Sequence, residues 1–307
     1  MNTIEPRPTT FLDATGLIPR SEVKLVIATE TFQHTGSFKF RAAYQVAMNV
    51  PQSHVIAASS GNFGQALAFA CRLFGKRCTV VMPNTSAQVK VDAVRSYGAE
   101  ADLIDTKAIT REARVAELAA IDPDIYVSSA FDDPWVISGN STLGVEIMER
   151  YPDVENIVAP VGGGGLTSGL VLAVSGDNRP VNVIGAEPKA GNDAARSFRE
   201  GRLVTNDFEP DTIADGARTK SLGKRNWEIL HSETGLQGIV EVTDDEIREA
   251  VRALFLRLNL KVEPTGALAV AAVMANPERF MTGRTVCCVV SGGNVDPAVY
   301  AQILLGN

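Results

Sequence analysis

Residues 156–169 read NIVAPVGGGGLTSG, and this stretch decides the fold class because an apolar run leads through four glycines into a helix-like segment. A short apolar run is typical of a strand buried on both faces of a parallel sheet. Consecutive glycines leave the backbone N–H groups bare at the positive end of the helix that follows, where a phosphate binds well. The stretch therefore predicts an α/β protein with a phosphate-binding turn.

The four glycines also limit the kind of phosphate ligand. A merely flexible turn is a weaker explanation, because the run lies directly between a strand and a helix. The run does not match the GxxxxGK[ST] pattern, so an NTPase P-loop is disfavoured. It is not a clean GxGxxG either, but Glu187 ends the next strand-like run, and a dinucleotide site stays open on this stretch alone.

The alternation of strand-like and helix-like segments extends outward over almost all of the 307 residues. Strand-like runs such as HVIAAS (54–59) and RTVCCVVSGG (284–293) alternate with helical patterns such as FGQALAFACRLFG (63–75). Such alternation predicts parallel sheets with helices on both faces and a ligand site beyond the carboxyl ends of the strands. The loops SSGN, GGGG and SGGN all follow strand-like runs, so we expect them to build one site. The polar segment 201–225 is the least regular, and we expect a mobile loop there.

Composition excludes several classes of function. The chain contains 29 Lys and Arg against 36 Asp and Glu, and this net charge of −7 disfavours a nucleic-acid partner. No apolar run approaches the ~18 residues of a membrane span, and the N-terminal residues show no secretory signal. At roughly 150 residues per domain, the length suggests two domains. The four cysteines form no CxxC pair, so we expect buried, reduced thiols in a cytoplasmic protein.

Lys39 is the candidate nucleophile, because it stands in TGSFKFR (35–41) between Phe38 and Phe40. Apolar neighbours disfavour the ammonium form, lower the pKa of the amine and favour nucleophilic chemistry. Taken alone, a surface lysine whose stem packs on aromatic rings is the more ordinary explanation.

Two polar loops offer anion-binding groups. In SSGNFG (59–64), hydroxyls and backbone donors at a helix start suit a carboxylate or phosphate, but serine and asparagine are also common helix caps. SGGN (291–294) would be a plain turn if it stood alone.

A cation site is suggested by Glu187, Gly191 and Asp193, in which two carboxylates flank a backbone carbonyl. Capping of the following helix explains the same residues about as well. The three histidines lack the spacing of a metal cluster or a hydrolase triad, and no GxSxG elbow is present.

Taken together, these motifs resemble the fold-type-II pyridoxal-phosphate (PLP) enzymes, in the branch of serine racemase and threonine or serine dehydratases. The resemblance covers about Gln33 to Asp296, and its motifs stand in family order. The motifs are TGSFKFRAA (35–43), SSGNFGQALA (59–68), FDDPWVISGNST (131–142), VGGGGLTSG (161–169), AEPKAGND (186–193), TIADGA (212–217), VEPTGA (262–267) and SGGNVD (291–296).

The resemblance implies an α/β fold like that of the tryptophan synthase β subunit, with two three-layer α/β/α domains built on parallel-type sheets. Residues 1–49 and 134–307 would form the large cofactor-binding domain. Residues 50–133 would form a small mobile domain that closes over the substrate. A homodimer is expected by the same analogy.

The resemblance also implies a role for each motif. Lys39 would hold PLP as a Schiff base, and Ser60 would act as an acid or base on the opposite face. The other cofactor-binding residues would be Phe38, Asn62, Gly162, Gly163, Gly164, Gly165, Leu166, Gly216, Glu263 and Ser291. The substrate carboxylate would be bound by Ser60, Gly61 and Asn62. Mg²⁺ or Mn²⁺ would be bound by Glu187, the Gly191 carbonyl and Asp193.

The implied activity is that of an ammonia-lyase (dehydratase), which removes the β-hydroxyl of serine, threonine or a related amino acid to give a 2-oxo acid and ammonia. Ser291 would place a hydroxyl, and not a carboxylate, at the pyridine nitrogen, so the ring would be a weak electron sink and rapid β-elimination would be favoured. Racemisation of a serine-type amino acid with Lys39 and Ser60 as two bases is the alternative. A 3-hydroxyaspartate dehydratase is a further one.

Departures from the family pattern leave the substrate open. Phe63 and Ser129 stand where many relatives have histidine, and residues 139–142 read GNST where the usual motif is GQGT. A β-replacement synthase of the cysteine-synthase type fits less well, because its lysine motif resembles NPSGSVKDR. A non-enzymatic nucleotide- or amino-acid-binding module would leave the lysine motif and SGGN unexplained.

Overall fold

Two open β-sheets organise the protein. The computed structural model describes residues 4–18 and 22–306. Within these residues the larger sheet has the spatial order β1 (Thr10–Asp13), β2 (Lys24–Thr29), β10 (Thr285–Val290), β7 (Val154–Pro160), β8 (Asn182–Pro188) and β9 (Ile239–Val242). The smaller sheet has the order β5 (Glu100–Ile104), β4 (Arg77–Pro83), β3 (His54–Ala58) and β6 (Ile125–Val127).

Helices connect most of these strands. In chain order they are α1 (Lys39–Asn49), α2 (Asn62–Leu73), α3 (Gln88–Ser96), α4 (Arg111–Ile121), α5 (Pro134–Arg150), α6 (Gly165–Ser175), α7 (Asp193–Glu200), α8 (Lys224–Leu230), α9 (Asp244–Leu258), α10 (Pro264–Ala275) and α11 (Pro297–Leu305). Short 3₁₀ turns lie at Lys189–Gly191, Asp215–Ala217 and Pro277–Phe280.

Side chains of successive strand residues point to opposite faces of each sheet and enter different cores. Leu25 and Ile27 of β2 belong to the core that includes α9 and α10, whereas Val26 and Ala28 belong to the core that includes α5 and α6. The smaller sheet behaves alike, since Val55 packs toward α2 on one face and the next residue packs toward α4 on the other. This burial on both faces explains the unbroken apolar runs and confirms the predicted three-layer α/β class.

The strand pairs are parallel except for β1, which pairs antiparallel with β2 at the edge of the larger sheet. The sequence pattern predicts no strand for β1 or β6, because both are short and partly exposed and lack an apolar run. It also misses α7, α8 and α11, whose seven to nine residues span only about two helical turns each, too few for the periodic pattern on which the prediction relies.

The segment 201–225 is irregular, as its composition predicts, but it is not free in solvent. Val204, Ala214 and Leu222 are buried in it, and the last two belong to the cores on the two faces of the larger sheet. Residues 1–3, 19–21 and 307 of the predicted large domain lie outside the described residues.

All four cysteines are buried and unbonded to one another, as expected. Among the described residues, no helix combines the length and the apolar character needed to cross a bilayer.

Candidate active site

The chain preceding Lys39 is joined directly to the loop that follows β10. Ser37 and Gly292 form an isolated antiparallel bridge, and the backbone N–H of Phe38 donates to the carbonyl of Ser291 at 2.9 Å. Lys39 therefore begins α1 at the carboxyl edge of the larger sheet, where ligands of such folds bind.

The amine of Lys39 lies in an apolar enclosure. Its Nζ donates to the carbonyl of Ala130 at 2.6 Å and lies 4.9 Å from the ring centre of Phe38 and 5.7 Å from that of Phe63. Desolvation lowers the pKa of Lys39 to about 8, and the nearby charge of Glu263 opposes this shift only in part. The amine is thus partly neutral near physiological pH, as a nucleophile or base must be.

The four-glycine turn lies beside Lys39. Ala130 accepts the hydrogen bond from the lysine, and the next residue, Phe131, packs on the turn. A Cβ at Gly163 would overlap the ring of Phe131, and a Cβ at Gly165 would lie 2.7 Å from the carbonyl oxygen of the same residue. Gly164 has φ +92°, a conformation that favours glycine. The enclosure therefore admits no side chain at these glycines, so the backbone of the turn can approach a ligand closely.

Residues outside this turn donate hydrogen bonds to its carbonyl groups, whereas its amide groups remain available for a ligand. The carbonyl of Gly163 accepts from Asn226 Nδ2 at 2.7 Å and from the N–H of Gly223 at 3.0 Å. The carbonyl of Gly165 accepts from Asn140 Nδ2 at 2.9 Å. The first N–H groups of α6 have no acceptor within their own helix and can bind an anion. Leu166 lies in that first turn.

Asn62 and Glu263 meet although 201 residues separate them. Asn62 Nδ2 donates to both carboxylate oxygens of Glu263, at 2.8 and 3.1 Å, and Asn294 Nδ2 donates to Asn62 Oδ1 at 2.8 Å. Burial, together with the nearby charge of Asp215, raises the pKa of Glu263 to about 8, and the hydrogen bond from Asn62 opposes part of this shift. The sequence predicts the SGGN loop at the site but assigns no role to Asn294 itself, because a loop asparagine carries no signal of its own.

Helix capping at the start of α2 is performed by Ser59 and not by Ser60. Ser59 Oγ accepts from the N–H groups of Gly61 and Gly64, at 3.4 and 3.0 Å. Ser60 is partly buried and has no side-chain hydrogen bond within residues 4–18 and 22–306. Its hydroxyl is therefore available for a ligand or a proton.

Gly216 and Ser291 border the same region. Gly216 donates its N–H to Thr265 Oγ1 at 2.9 Å, and its carbonyl oxygen would lie 2.9 Å from a Cβ at Gly162. Ser291 is 2 % exposed and directly follows β10. The structure thus brings the predicted cofactor residues around one cleft that contains Lys39.

Three sequence departures from the expected pattern have different structural roles. Phe63 is buried and faces the amine of Lys39. Ser129 Oγ accepts from the N–H groups of Phe131 and Asp132, so it shapes the loop that supports the glycine turn. Asn140 holds the turn itself, and neither of these two needs to contact the substrate.

Glu187 near the end of β8 and Asp193 at the start of α7 lie close enough for their charges to interact. The Glu187 carboxylate accepts from the N–H groups of Ala194 and Ala195, at 3.0 and 2.9 Å, so it caps α7. Asp193 Oδ1 accepts from Asn206, and its buried Oδ2 has no partner. Burial, with Asp193 nearby, raises the pKa of Glu187, and burial raises that of Asp193 to about 7. The described residues contain no group of three or more His, Cys, Asp or Glu able to hold a metal.

A buried lysine of lowered pKa beside a glycine-lined helix N-terminus, in a two-sheet α/β fold, defines a PLP-dependent enzyme. The chain belongs to that family, because the model described as pyridoxal-phosphate dependent enzyme matches residues 3–292. The residues fit the cofactor: the glycine turn offers bare amides for its phosphate, and Lys39 offers an amine for its aldehyde.

Similar proteins are lyases and racemases. The chain is 36 % identical to an L-threo-3-hydroxyaspartate ammonia-lyase from Pseudomonas sp, over 92 % of this chain and 88 % of the relative. It is 36 % identical to a serine racemase from Bos taurus, over 89 % and 83 % of the two chains. The crystal structure of a threonine deaminase from T.th. matches with a TM-score of 0.87 and 37 % identity, over 95 % and 94 %. These likenesses confirm the predicted family and fold.

Proposed function

We propose that the protein is an ammonia-lyase that removes the β-hydroxyl of serine, threonine or a related hydroxy-amino acid. The products would be a 2-oxo acid and ammonia. The observation that carries the proposal is the buried amine of Lys39, which lies between two aromatic rings beside the glycine turn. The names of the relatives, a hydroxyaspartate ammonia-lyase and a threonine deaminase, support the same chemistry.

Lys39 would remove the proton from Cα of the substrate. Its lowered pKa supports this role, because a neutral amine is required to accept a proton. When bound, PLP supplies the electron sink that stabilises negative charge at Cα. The carbonyl of Ala130, which accepts from Nζ at 2.6 Å, would keep the amine oriented while it carries the proton.

The remaining residues would bind and orient. N–H groups of the turn from Gly162 to Leu166 would hold the phosphate. Phe38, Asn62, Gly216, Glu263 and Ser291 would surround the ring of the cofactor. Ser60, Gly61 and Asn62 would receive the substrate carboxylate at the start of α2. The hydroxyl of Ser291 would leave the ring nitrogen unprotonated, which favours prompt loss of the β-hydroxyl.

Racemisation is the second candidate, and the free hydroxyl of Ser60 favours it. Because Ser59 caps α2, Ser60 is not needed for capping and could return a proton to the face opposite Lys39. Ser60→Ala should then abolish interconversion of D- and L-serine and spare most 2-oxo acid formation from L-serine. Circular dichroism and a coupled 2-oxo acid assay measure the two activities. Equal loss of both would contradict the two-base scheme.

A divalent cation, Mg²⁺ or Mn²⁺, would be bound by Glu187, the Gly191 carbonyl and Asp193. The unpartnered, buried Asp193 Oδ2 supports this proposal, because a buried carboxylate oxygen without a donor is costly unless a cation neutralises it. Each oxygen of Glu187 already accepts one N–H but retains a second lone pair for a cation.

Residues 50–133 would act as a small domain that closes over the substrate, and the protein would be a cytoplasmic homodimer. Their separate four-stranded sheet supports the first point, and one face of that sheet shares its core with α1 residues such as Phe40 and Ala43. Sedimentation velocity tests the oligomeric state.

Substrate profiling of the purified holoenzyme tests the main proposal. We expect a 2-oxo acid and ammonia from at least one member of a panel of serine, threonine and 3-hydroxyaspartate isomers. Lys39→Ala should lose this activity together with the visible absorbance of lysine-bound cofactor. A holoenzyme that yields no 2-oxo acid from any β-hydroxy-amino acid would refute the assignment.

A further inference from the structure

One ion pair connects the two sheet-bearing parts of the protein. Lys90 Nζ, on α3, lies 3.3 Å from Asp215 Oδ2, in the 3₁₀ turn Asp215–Ala217. Of the ion pairs found among the described residues, only this one joins residues 50–133 to the rest of the chain.

The pair lies at the border of the active site. Asp215 directly precedes Gly216, and its Oδ1 lies 3.5 Å from Thr265 Oγ1, which also binds the N–H of Gly216. The charges of both Lys90 and Asp215 act on the buried Glu263. A deeper set of contacts, from Asn62 to Glu263 and Asn294, joins the same two parts inside the cleft.

The ion pair between Lys90 and Asp215 is exposed to solvent, and this exposure determines how strong the pair is and how readily it breaks. The side chains of Lys90 and Asp215 are 43 % and 51 % exposed, whereas those of the buried pair Arg41 and Glu30 are 2 % and 0 % exposed. Exposed ion pairs are weak and are screened by salt. A contact of this kind can break and re-form rapidly, whereas breaking a buried pair would leave charges stranded in the interior.

We propose that Lys90 and Asp215 form an ionic latch that holds α3 and the smaller sheet against the mouth of the active site. Opening the latch would separate the two sheet-bearing parts at the outer edge and give substrate access to Lys39. Closing it would shield the cleft from water and bring Ser60 and Asn62 toward the bound substrate. The inference rests on the proposed function for what enters the cleft, but not for the contact itself.

Distance measurement between two spin labels tests the latch in the holoenzyme without substrate. The four native cysteines are buried, so labels can be directed to cysteines introduced at the exposed Ser96 on α3 and Ser232 after α8. Double electron–electron resonance should show a dominant short distance in the parent protein. Lys90→Met should increase the ratio of long to short distances by up to about fivefold, the most that an exposed ion pair typically contributes.

Matched variants separate the latch from a general effect of charge. Asp215→Asn should act like Lys90→Met, and the double variant should add nothing further, because the pair is already broken. Lys24→Met removes an ion pair with Asp153 of similar exposure that lies wholly within the larger part, and it should leave the distances unchanged. About 0.5 M NaCl should shift the parent protein toward the longer distance.

Two results would overturn the latch: unchanged distances in both single variants, or effects of the two variants that simply add. Exchanging the charges, with Lys90→Asp and Asp215→Lys together, should restore the short distance. A kinetic arm measures kcat/KM for the best substrate, which should fall by up to about fivefold in Lys90→Met. Absence of any 2-oxo acid product would contradict the proposed function, while the distances would still decide the latch.

Discussion

At the scale of single residues, the chemistry of this protein depends on how its environment changes one amine. Lys39 is not distinguished from the other lysines by its residue type. Its special character arises because Phe38 and Phe63 lie against Nζ, which donates to the carbonyl of Ala130 in a buried environment. Desolvation penalises the ammonium form, and the partial compensation by Glu263 leaves the pKa at about 8.

This lowered pKa predicts how fast the apoprotein captures its cofactor. The neutral amine is the reactive form, so the rate should rise about tenfold per pH unit below 8 and level off above it. Stopped-flow absorbance with added PLP measures the rate. Nα-acetyl-lysine is the reference, and its rate should continue to rise toward pH 10. A protein rate that follows the reference throughout would show that the amine is not desolvated.

At the scale of elements, the feature of α6 that would bind the cofactor is its N-terminal glycine turn. The glycine turn is enclosed by Phe131, by Gly216 and by Asn226, and these contacts come from three separate segments of the chain. The turn therefore presents its amides in a fixed arrangement, and a bound phosphate would gain from amides that need no reordering.

Because the turn is enclosed in this way, we predict that Gly163→Ala strongly weakens PLP binding. The added methyl group would overlap Phe131, so the turn must shift, and overpacking typically costs about 1–3 kcal/mol. We expect PLP affinity to fall by roughly tenfold or more, as measured by fluorescence titration of the apoprotein.

Gly176→Ala, at the other end of α6, is the matched control. No atom lies closer than 3.6 Å to its added Cβ, and its φ is −81°. This variant should bind PLP like the parent protein, and similar losses in both variants would argue against a role of the turn in phosphate binding.

Glu187 and Asp193, at the junction of β8 and α7, predict that stabilisation of the protein by a divalent cation depends on pH. Raised carboxyl pKa values mean that the folded protein binds more protons than the unfolded chain between about pH 4 and 7, so the stability of the metal-free protein falls as pH rises through that range. A cation requires the ionised carboxylates. Mg²⁺ should therefore raise the melting temperature more at pH 8 than at pH 6.

Asp193→Asn provides the test of that response, because it removes one ligand charge and keeps the shape of the side chain. Differential scanning calorimetry should show a Mg²⁺-dependent increment in the parent protein and little in the variant. An equal increment in both proteins would mean that the cation binds elsewhere.

At the scale of the whole molecule, contacts around the candidate site join the two sheet-bearing parts. Asn62 brings the start of α2 to Glu263 on the other part, and Lys90 brings α3 to Asp215. A ligand in this cleft would contact both parts and would favour the native state over the unfolded one.

Cofactor loading should therefore stabilise the entire protein. At a concentration one hundred times its Kd, PLP should add about 2.7 kcal/mol to the free energy of unfolding, which raises the melting temperature by roughly 4 °C. Lys39→Ala should show a smaller increment, whereas Lys24→Ala, a surface variant on β2, should retain the full one. An increment that is unchanged in Lys39→Ala would argue against a bond between this residue and the cofactor.

The sequence alone determined the fold class, the family and the central residues of the candidate site. Buried parallel strands must be apolar on both faces, and a glycine turn at a helix start has few other uses, so both leave local patterns. Gly162–Gly165 could be recognised in this way, whereas Lys39 was identified only together with the other motifs, through their resemblance to the fold-type-II PLP enzymes. The short elements β1, β6, α7, α8 and α11 could not, because their three to nine residues are too few for a periodic pattern to stand out along the chain.

Only the tertiary structure decided which residues support that site. The pairing of Asn62 with Glu263 and the contact of Phe131 with the glycine turn join residues that are distant along the chain. The structure also assigned the capping of α2 to Ser59 and so left Ser60 free, a distinction that two adjacent serines cannot express in sequence. Such contacts depend on how sheets and loops pack in three dimensions, and local sequence patterns carry no record of that packing.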